Sequence, residues 1–173
     1  MSQNIYSIDD WATNTSYSKN SIVKNGNYYY YAVTDHVSTS NFSNDLTNNL
    51  FGGRITDNGE DKPFFIWRPS YRGVVDSEPR LKKISFSDGY TQRLNDGINN
   101  ILPSINLTFE NIDINETTAI LHFLESRSGS ESFLYLPQAP RGVLSRWVSE
   151  RWSDTLNFYN NYTIQCKFDR VVV

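Results

Sequence analysis

Ser104-Ile105-Asn106-Leu107-Thr108-Phe109-Glu110-Asn111 alternates without a break: Ile105, Leu107 and Phe109 go to one side, and Ser104, Asn106, Thr108 and Glu110 to the other. Successive side chains on an extended chain point to opposite faces. Such strict alternation describes a strand with one face toward a core and one toward water. Tyr162-Thr163-Ile164-Gln165-Cys166-Lys167-Phe168-Asp169 repeats the pattern, setting Tyr162, Ile164, Cys166 and Phe168 against Thr163, Gln165, Lys167 and Asp169. Two strands of this kind predict an antiparallel sheet. Shorter strands are expected at Phe64–Pro69, Lys82–Phe86, Ser132–Leu136 and Leu144–Trp152.

One helix breaks the series. Asp113 and Glu116 have the spacing of a capping box, in which the first side chain accepts from a free N–H of the opening turn and the second reaches back. Thr117, Ile120, Leu121 and Leu124 form a stripe at helical spacing, and Gly129 can end the helix. The stripe reads as core against the sheet. His122, between Leu121 and Phe123, is expected near the helix's wet flank.

Residues 1–60 differ in texture: they are rich in Asn, Ser and Thr, with one dense aromatic run. Ser21 to Val23 reads as a short strand, Asn25-Gly26 as a type I′ hairpin turn, and Tyr28-Tyr29-Tyr30-Tyr31-Ala32-Val33 as the returning strand. Alternation places Tyr28, Tyr30 and Ala32 on one face and Tyr29, Tyr31 and Val33 on the other, so this strand needs partners on both. Gly52 to Pro63 is rich in turn formers and charge and reads as a connector. The expected fold is therefore mainly β: an antiparallel β-sandwich or open barrel with one α-helix over 64–173, preceded by a small β module over 1–60.

Bulk numbers fit this reading. Four Trp, eleven Tyr and ten Phe make 14% of the 173 residues aromatic, which favours pleated, half-buried surfaces. A net charge of −3 argues against a nucleic-acid binder, whose affinity comes from clustered Lys and Arg. No apolar run is long enough to span a membrane, and Met1 to Ile5 lacks the basic and apolar parts of a secretory signal. The single cysteine, Cys166, excludes an intrachain disulfide and reads as a small buried hydrophobe. The Asn-x-Ser/Thr sequences at Asn106 and Asn161 are expected products of composition.

The search for chemistry finds no catalytic, cofactor or metal constellation. The two histidines, His36 and His122, have no Cys or His at ligand spacing. No nucleophile elbow, phosphate loop or dinucleotide fingerprint occurs. Asp9, Asp10, Asp57, Glu60 and Asp61 lie in polar stretches and read as solvated. An enzyme is the weakest of the functional readings.

Phe86-Ser87-Asp88-Gly89-Tyr90-Thr91-Gln92-Arg93 resembles the Phe-Gly-Asp-Gly-Tyr-x-Gln-Arg motif of phage minor tail proteins, the M type of lambda-like phages. Supporting features keep that family's order: Pro79-Arg80, the strand from Ser104, Phe123-Leu124, Gly129, Ser132 to Pro137, Trp152-Ser153 and Phe168 to Val172. The resemblance covers about 64–173, with Ser87 standing where the family usually has Gly. A turn at Asp88-Gly89, burial of the Tyr90 ring against the end of the sandwich, and an Arg93 fork suited to a carboxylate within the subunit or across a subunit interface are the physical counterparts of the motif. Phe86, Asp88, Gly89, Tyr90, Gln92 and Arg93 are thus the candidate turn and interface residues.

The resemblance implies a tail-tip subunit, made in the host cytoplasm and carried in the virion. It further implies a homo-oligomeric ring that joins the tail tube to the hub, touching tube and hub proteins, with no membrane insertion and no sequence-specific nucleic acid. More loosely, Trp11, Tyr17 to Val23 and Asn25 to Ala32 resemble small chitin-binding-type carbohydrate modules. That resemblance makes Trp11, Tyr17, Tyr28 and Tyr30 candidates for binding host glycan or docking on a neighbour. Against it stands a miniature core built from Trp11, Tyr17 and Tyr30, since so small a unit can hardly fold without large aromatics.

Overall fold

The computed structural model describes Tyr6, residues 8–70 and residues 73–172; the N-terminal Met1 to Ile5 stretch discussed above lies outside them. The first half of the chain supplies β1 (Asp9–Asp10), β2 (Ser16–Tyr17), β3 (Ile22–Asn25), β4 (Tyr28–Ala32), β5 (His36–Val37), the short helix α1 (Phe42–Thr47), β6 (Phe51–Gly52), β7 (Arg54–Asp57) and β8 (Glu60–Pro63). The second half supplies β9 (Val74–Asp76), β10 (Leu81–Ser85), β11 (Thr91–Asn95), β12 (Ser104–Ile112), α2 (Ile114–Ser126), β13 (Phe133–Tyr135), β14 (Ser145–Phe158) and β15 (Asn161–Arg170). The fold is mainly β. Its chief element is a five-stranded sheet in the order β13-β14-β15-β12-β9, curled into a half-barrel, which is the open-barrel form of the expected architecture.

The quoted strands lie at its centre. β12 pairs antiparallel with β15, Leu107 opposite Cys166 and Phe109 opposite Ile164. Ile105, Leu107, Phe109, Ile164, Cys166 and Phe168 are all buried, as the alternation requires. Burial also pushes the Cys166 thiol up to about 12, so it stays neutral. α2 covers the sheet's inner face. The Asp113 side chain accepts from the Glu116 N–H at 2.8 Å, and the helix ends at Arg127, with Ser128 and Gly129 in the left-handed region. Its buried face comprises Thr117, Ala119, Ile120, His122, Phe123 and Leu124, broader than the predicted stripe.

Several expectations need correction. Phe64–Pro69 is not a strand; Phe64 makes one bridge to Leu134 and Phe65 N donates to the Leu134 carbonyl, while Phe65 and Trp67 are buried. Proline at both ends of that stretch removes ladder donors, so it lies against the β13 edge without joining it. Much of the expected connector is the hairpin β7–β8, turned at Asn58-Gly59, where both residues have positive φ. The β3–β4 turn is Gly26-Asn27, since Asn25 pairs with Tyr28; only Gly26 has positive φ, which departs from type I′. Helix α1, capped by the Asn41 side chain on Ser43 N, is additional to the one predicted.

Strand β4 serves two hydrophobic clusters. Tyr30 and Ala32 join Val23 and Phe51 in a small N-terminal cluster, against which Trp11, Tyr17 and Phe42 pack. Tyr31 faces the other way and belongs to the main core, edge-on to Trp67 at 4.9 Å. The predicted split of the tyrosine run between two faces is thus met by a partner on each side. Gly53, at φ +104, is held to glycine by the Tyr31 ring, which a Cβ would meet at 2.6 Å.

Candidate functional site

The family-like motif occupies a two-stranded ribbon that stands away from the sheet. β10 and β11 pair antiparallel from Leu81↔Asn95 to Ser85↔Thr91, and every residue of both strands is exposed. At its root the Arg80 N–H donates to Asn100 O at 2.8 Å and Asp96 N donates to Arg80 O at 3.0 Å. The loop is a three-residue one, Ser87-Asp88-Gly89. Gly89 N donates to Phe86 O, Phe86 N donates to Tyr90 O, and Asp88 Oδ1 accepts from Tyr90 N. Gly89 has φ +84, the left-handed position this kind of loop ends on, which is the physical reason for glycine there. Ser87 is not at positive φ, so a side chain at that position is unstrained.

Directly opposed residues in an antiparallel pair share a face. One face of the ribbon therefore carries Ile84, Leu94, Phe86 and Tyr90, with Lys82 and Gln92; the other carries Lys83 directly opposite Arg93, with Leu81, Ser85, Thr91 and Asn95. Tyr90 does not bury its ring against the sheet. It is 63% exposed and its aromatic neighbour is Phe86, at 5.8 Å. Phe86, Asp88, Gly89, Tyr90, Gln92 and Arg93 thus share one exposed tip and shaft. Lys83 facing Arg93 places like charges across the pair, an arrangement that favours an anionic group between them.

The N-terminal candidates lie elsewhere and are mostly used internally. Trp11 Nε1 donates to the buried Asp45 carboxylate at 3.1 Å, and its ring meets Phe42. The Tyr17 hydroxyl accepts from Ala12 N at 2.9 Å while its ring meets Phe51. Tyr30 is buried against Phe42 at 4.7 Å. Tyr28 is exposed, with the Arg54 guanidinium 3.8 Å from its ring centre and Arg54 Nε in turn 2.6 Å from Asp61 Oδ2.

His122 is buried, contrary to expectation, because the N-terminal segment lies across the helix. Its Nδ1 meets the Tyr31 hydroxyl at 2.9 Å, and Tyr6 and Tyr29 pack edge-on against its ring at 5.3 and 4.8 Å. Burial, helped by the Arg127 charge, lowers its pKa to about 4, so the ring is neutral. The Tyr31 hydroxyl is pushed well above its ordinary value by burial. Trp67 Nε1 adds a second polar link, donating to the buried Asn20 side chain at 3.0 Å. These buried groups hold the N-terminal segment on the sheet's helix side; their sequence signal was the need of β4 for partners on both faces. Among the described residues no group of three or more His, Cys, Asp or Glu could hold a metal ion, and no helix is long and apolar enough to cross a membrane.

A second exposed apolar feature, Leu156, Phe158 and Tyr159 at the β14–β15 turn, was not predicted. The expected strand ended at Trp152, whereas β14 runs on to Phe158.

Two comparisons agree with these features. The tail tip protein M of Escherichia phage lambda is 36% identical over 73 residues, which cover 42% of this chain and 66%, just under two thirds, of that relative's length. The sequence profile of the family described as phage minor tail protein matches residues 63–172, taking in the ribbon, the half-barrel and α2. The chain belongs to the phage minor tail protein family.

Proposed function

We propose that the protein is a structural subunit of the tail tip, made in the host cytoplasm and carried in the virion, and that identical copies close into a ring joining the tail tube to the distal hub. The observation that carries this reading is the ribbon β10–β11. An isolated two-stranded hairpin is at best marginally stable in water, yet this one has four large apolar side chains on one face and no core of its own. Such a ribbon gains its stability from a neighbour. A projecting arm and a different receiving surface on the same chain make a head-to-tail contact, which closes into a ring when the rotation permits. The opposed Lys83 and Arg93 suit a carboxylate on that neighbour, and β9, which the arm follows, is an edge strand with no partner on its outer side among the described residues. No observation favours the alternative of a host-glycan adhesin to the same degree, because Trp11, Tyr17 and Tyr30 are engaged in the packing of the N-terminal segment.

Sedimentation of the full chain tests the reading. A discrete oligomer is expected, and Ile84→Ser with Leu94→Ser is expected to return it to monomer with unchanged circular dichroism. A wild-type protein that stays monomeric at every concentration, or an arm variant that keeps the same oligomer, overturns it.

A further inference from the structure

The pairing registers put the arm and the β14–β15 turn at opposite ends of the sheet. The arm leaves beside Ser104, which pairs with Asp76 and Asp169; the turn lies beyond Ile112, which pairs with Tyr162, itself opposite Leu156. Eight residue steps of β12 separate these ends, about 26 Å at the usual rise. At the turn Leu156 is 60% exposed, Phe158 66% and Tyr159 94%.

Two features distinguish this turn from a frayed loop. First, it is held by side-chain amides. Asn157 Nδ2 donates to Asn161 Oδ1 at 3.0 Å and to Thr163 Oγ1 at 2.8 Å, Asn161 Nδ2 donates to Asn111 Oδ1 at 3.2 Å, and Asn160 Oδ1 accepts the Ile114 N–H at the start of α2 at 3.0 Å. The apolar side chains are therefore displayed in one conformation before any partner arrives, which lowers the entropic cost of docking. Second, no residue from Thr155 to Cys166 is charged. A knob of this kind has nothing to offer anionic lipid, which basic residues recruit, and nothing to offer a charged groove. Its complement is an apolar, uncharged recess on a protein.

We propose that the Leu156-Phe158-Tyr159 turn is a second docking surface, which takes a protein of different sequence with an apolar, uncharged receiving surface. This rests on the ring reading. A closed ring satisfies the arm and its receiving surface within the ring; a head-to-tail self-contact through the opposite end of the sheet would stack copies without limit, and a knob-to-knob contact would pair two rings face to face and block that rim from the tube or hub that the ring reading joins. Every copy then presents its knob on the same rim, and a partner on that rim is not another copy.

Site-specific photo-crosslinking in assembled tails tests this, with benzoylphenylalanine placed at Tyr159 in one variant and at Tyr90 in another, and the joined peptides identified by mass spectrometry. The Tyr159 probe is expected to join a tail protein of different sequence and the Tyr90 probe a second copy of this chain. Phe158→Ser with Tyr159→Ser should leave the purified oligomer unchanged while finished tails fall at least about tenfold, as expected when two aromatic anchors are lost. A Tyr159 crosslink to this chain, to lipid or to nothing overturns the proposal, as do normal tail numbers from the double variant. If Tyr159 reaches a different protein while Tyr90 reaches no second copy, the docking surface stands and the ring falls.

Discussion

The chain contains two kinds of antiparallel pair that look alike in sequence and behave oppositely in the fold. Along β12 and β15 Ile105, Leu107, Phe109, Ile164, Cys166 and Phe168 lie in the core and Tyr162 packs half-buried at its margin, whereas along β10 and β11 the apolar residues Leu81, Ile84 and Leu94 are exposed. The difference lies in what each pair has on its apolar face. β12–β15 has α2, Phe65 and the N-terminal segment; β10–β11 has only itself. Hydrophobic alternation therefore predicts a face to be covered, not which molecule covers it. One pair carries the stability of the subunit, and the other is the one proposed above to carry association.

Substitutions in the covered pair should cost most. Phe168 is fully buried, with Phe133 at 4.9 Å, Phe65 at 5.1 Å and Tyr135 at 5.4 Å. Phe168→Ala removes a ring from the centre of that cluster, and equilibrium urea unfolding should show a loss of about 3–5 kcal/mol. A loss below about 1 kcal/mol would mean the cluster relaxes around the gap and is not the rigid half of the comparison.

The latch between the N-terminal segment and α2 should rank next. Tyr31→Phe keeps the ring and deletes the hydroxyl, so buried His122 Nδ1 loses its partner at a cost of about 1–3 kcal/mol. The same contact makes stability depend on pH. His122 titrates near 4 when folded and near its ordinary 6.5 when unfolded, so the unfolded state binds more protons between those values. The contribution of neutral His122 is complete above about pH 6.5 and is lost as pH falls toward 4. Thermal unfolding of the wild type should therefore weaken across that window more steeply than that of His122→Leu; parallel curves would place His122 in water.

Legibility followed the same division. The alternation of Ile105, Leu107 and Phe109 and the Asp113 cap are local signals, and local signals sufficed for the sheet and for α2. The β4 tyrosines revealed that two partners were needed, yet not that His122 would be one of them. Its burial depends on a segment about ninety residues away in sequence, a long-range contact that no helical stripe encodes. Phe64–Pro69 resembled a strand because Phe65 and Trp67 alternate toward the core, but burial came without a ladder. The motif from Phe86 to Arg93 was legible as a turn; its exposure was not, because the expected cover for Tyr90 was sought within the same chain.

The smallest effect on folding should come from the ribbon itself, and it sharpens the comparison most. Ile84→Ser with Leu94→Ser changes two apolar side chains that lie outside the core and are 43% and 44% exposed in the isolated subunit, so the stability of the monomer should change by less than about 1 kcal/mol. In a core the same pair of changes would cost several times more. The contrast is sharpest if unfolding is followed at a concentration too low for association and then again where the wild-type protein self-associates. The variant should match wild type in the first experiment and fall behind in the second, since binding to the folded state adds stability by mass action. Equal behaviour at both concentrations would mean that the apolar face of β10–β11 is covered by nothing, and that the exposure of Phe86 and Tyr90 has no counterpart in assembly.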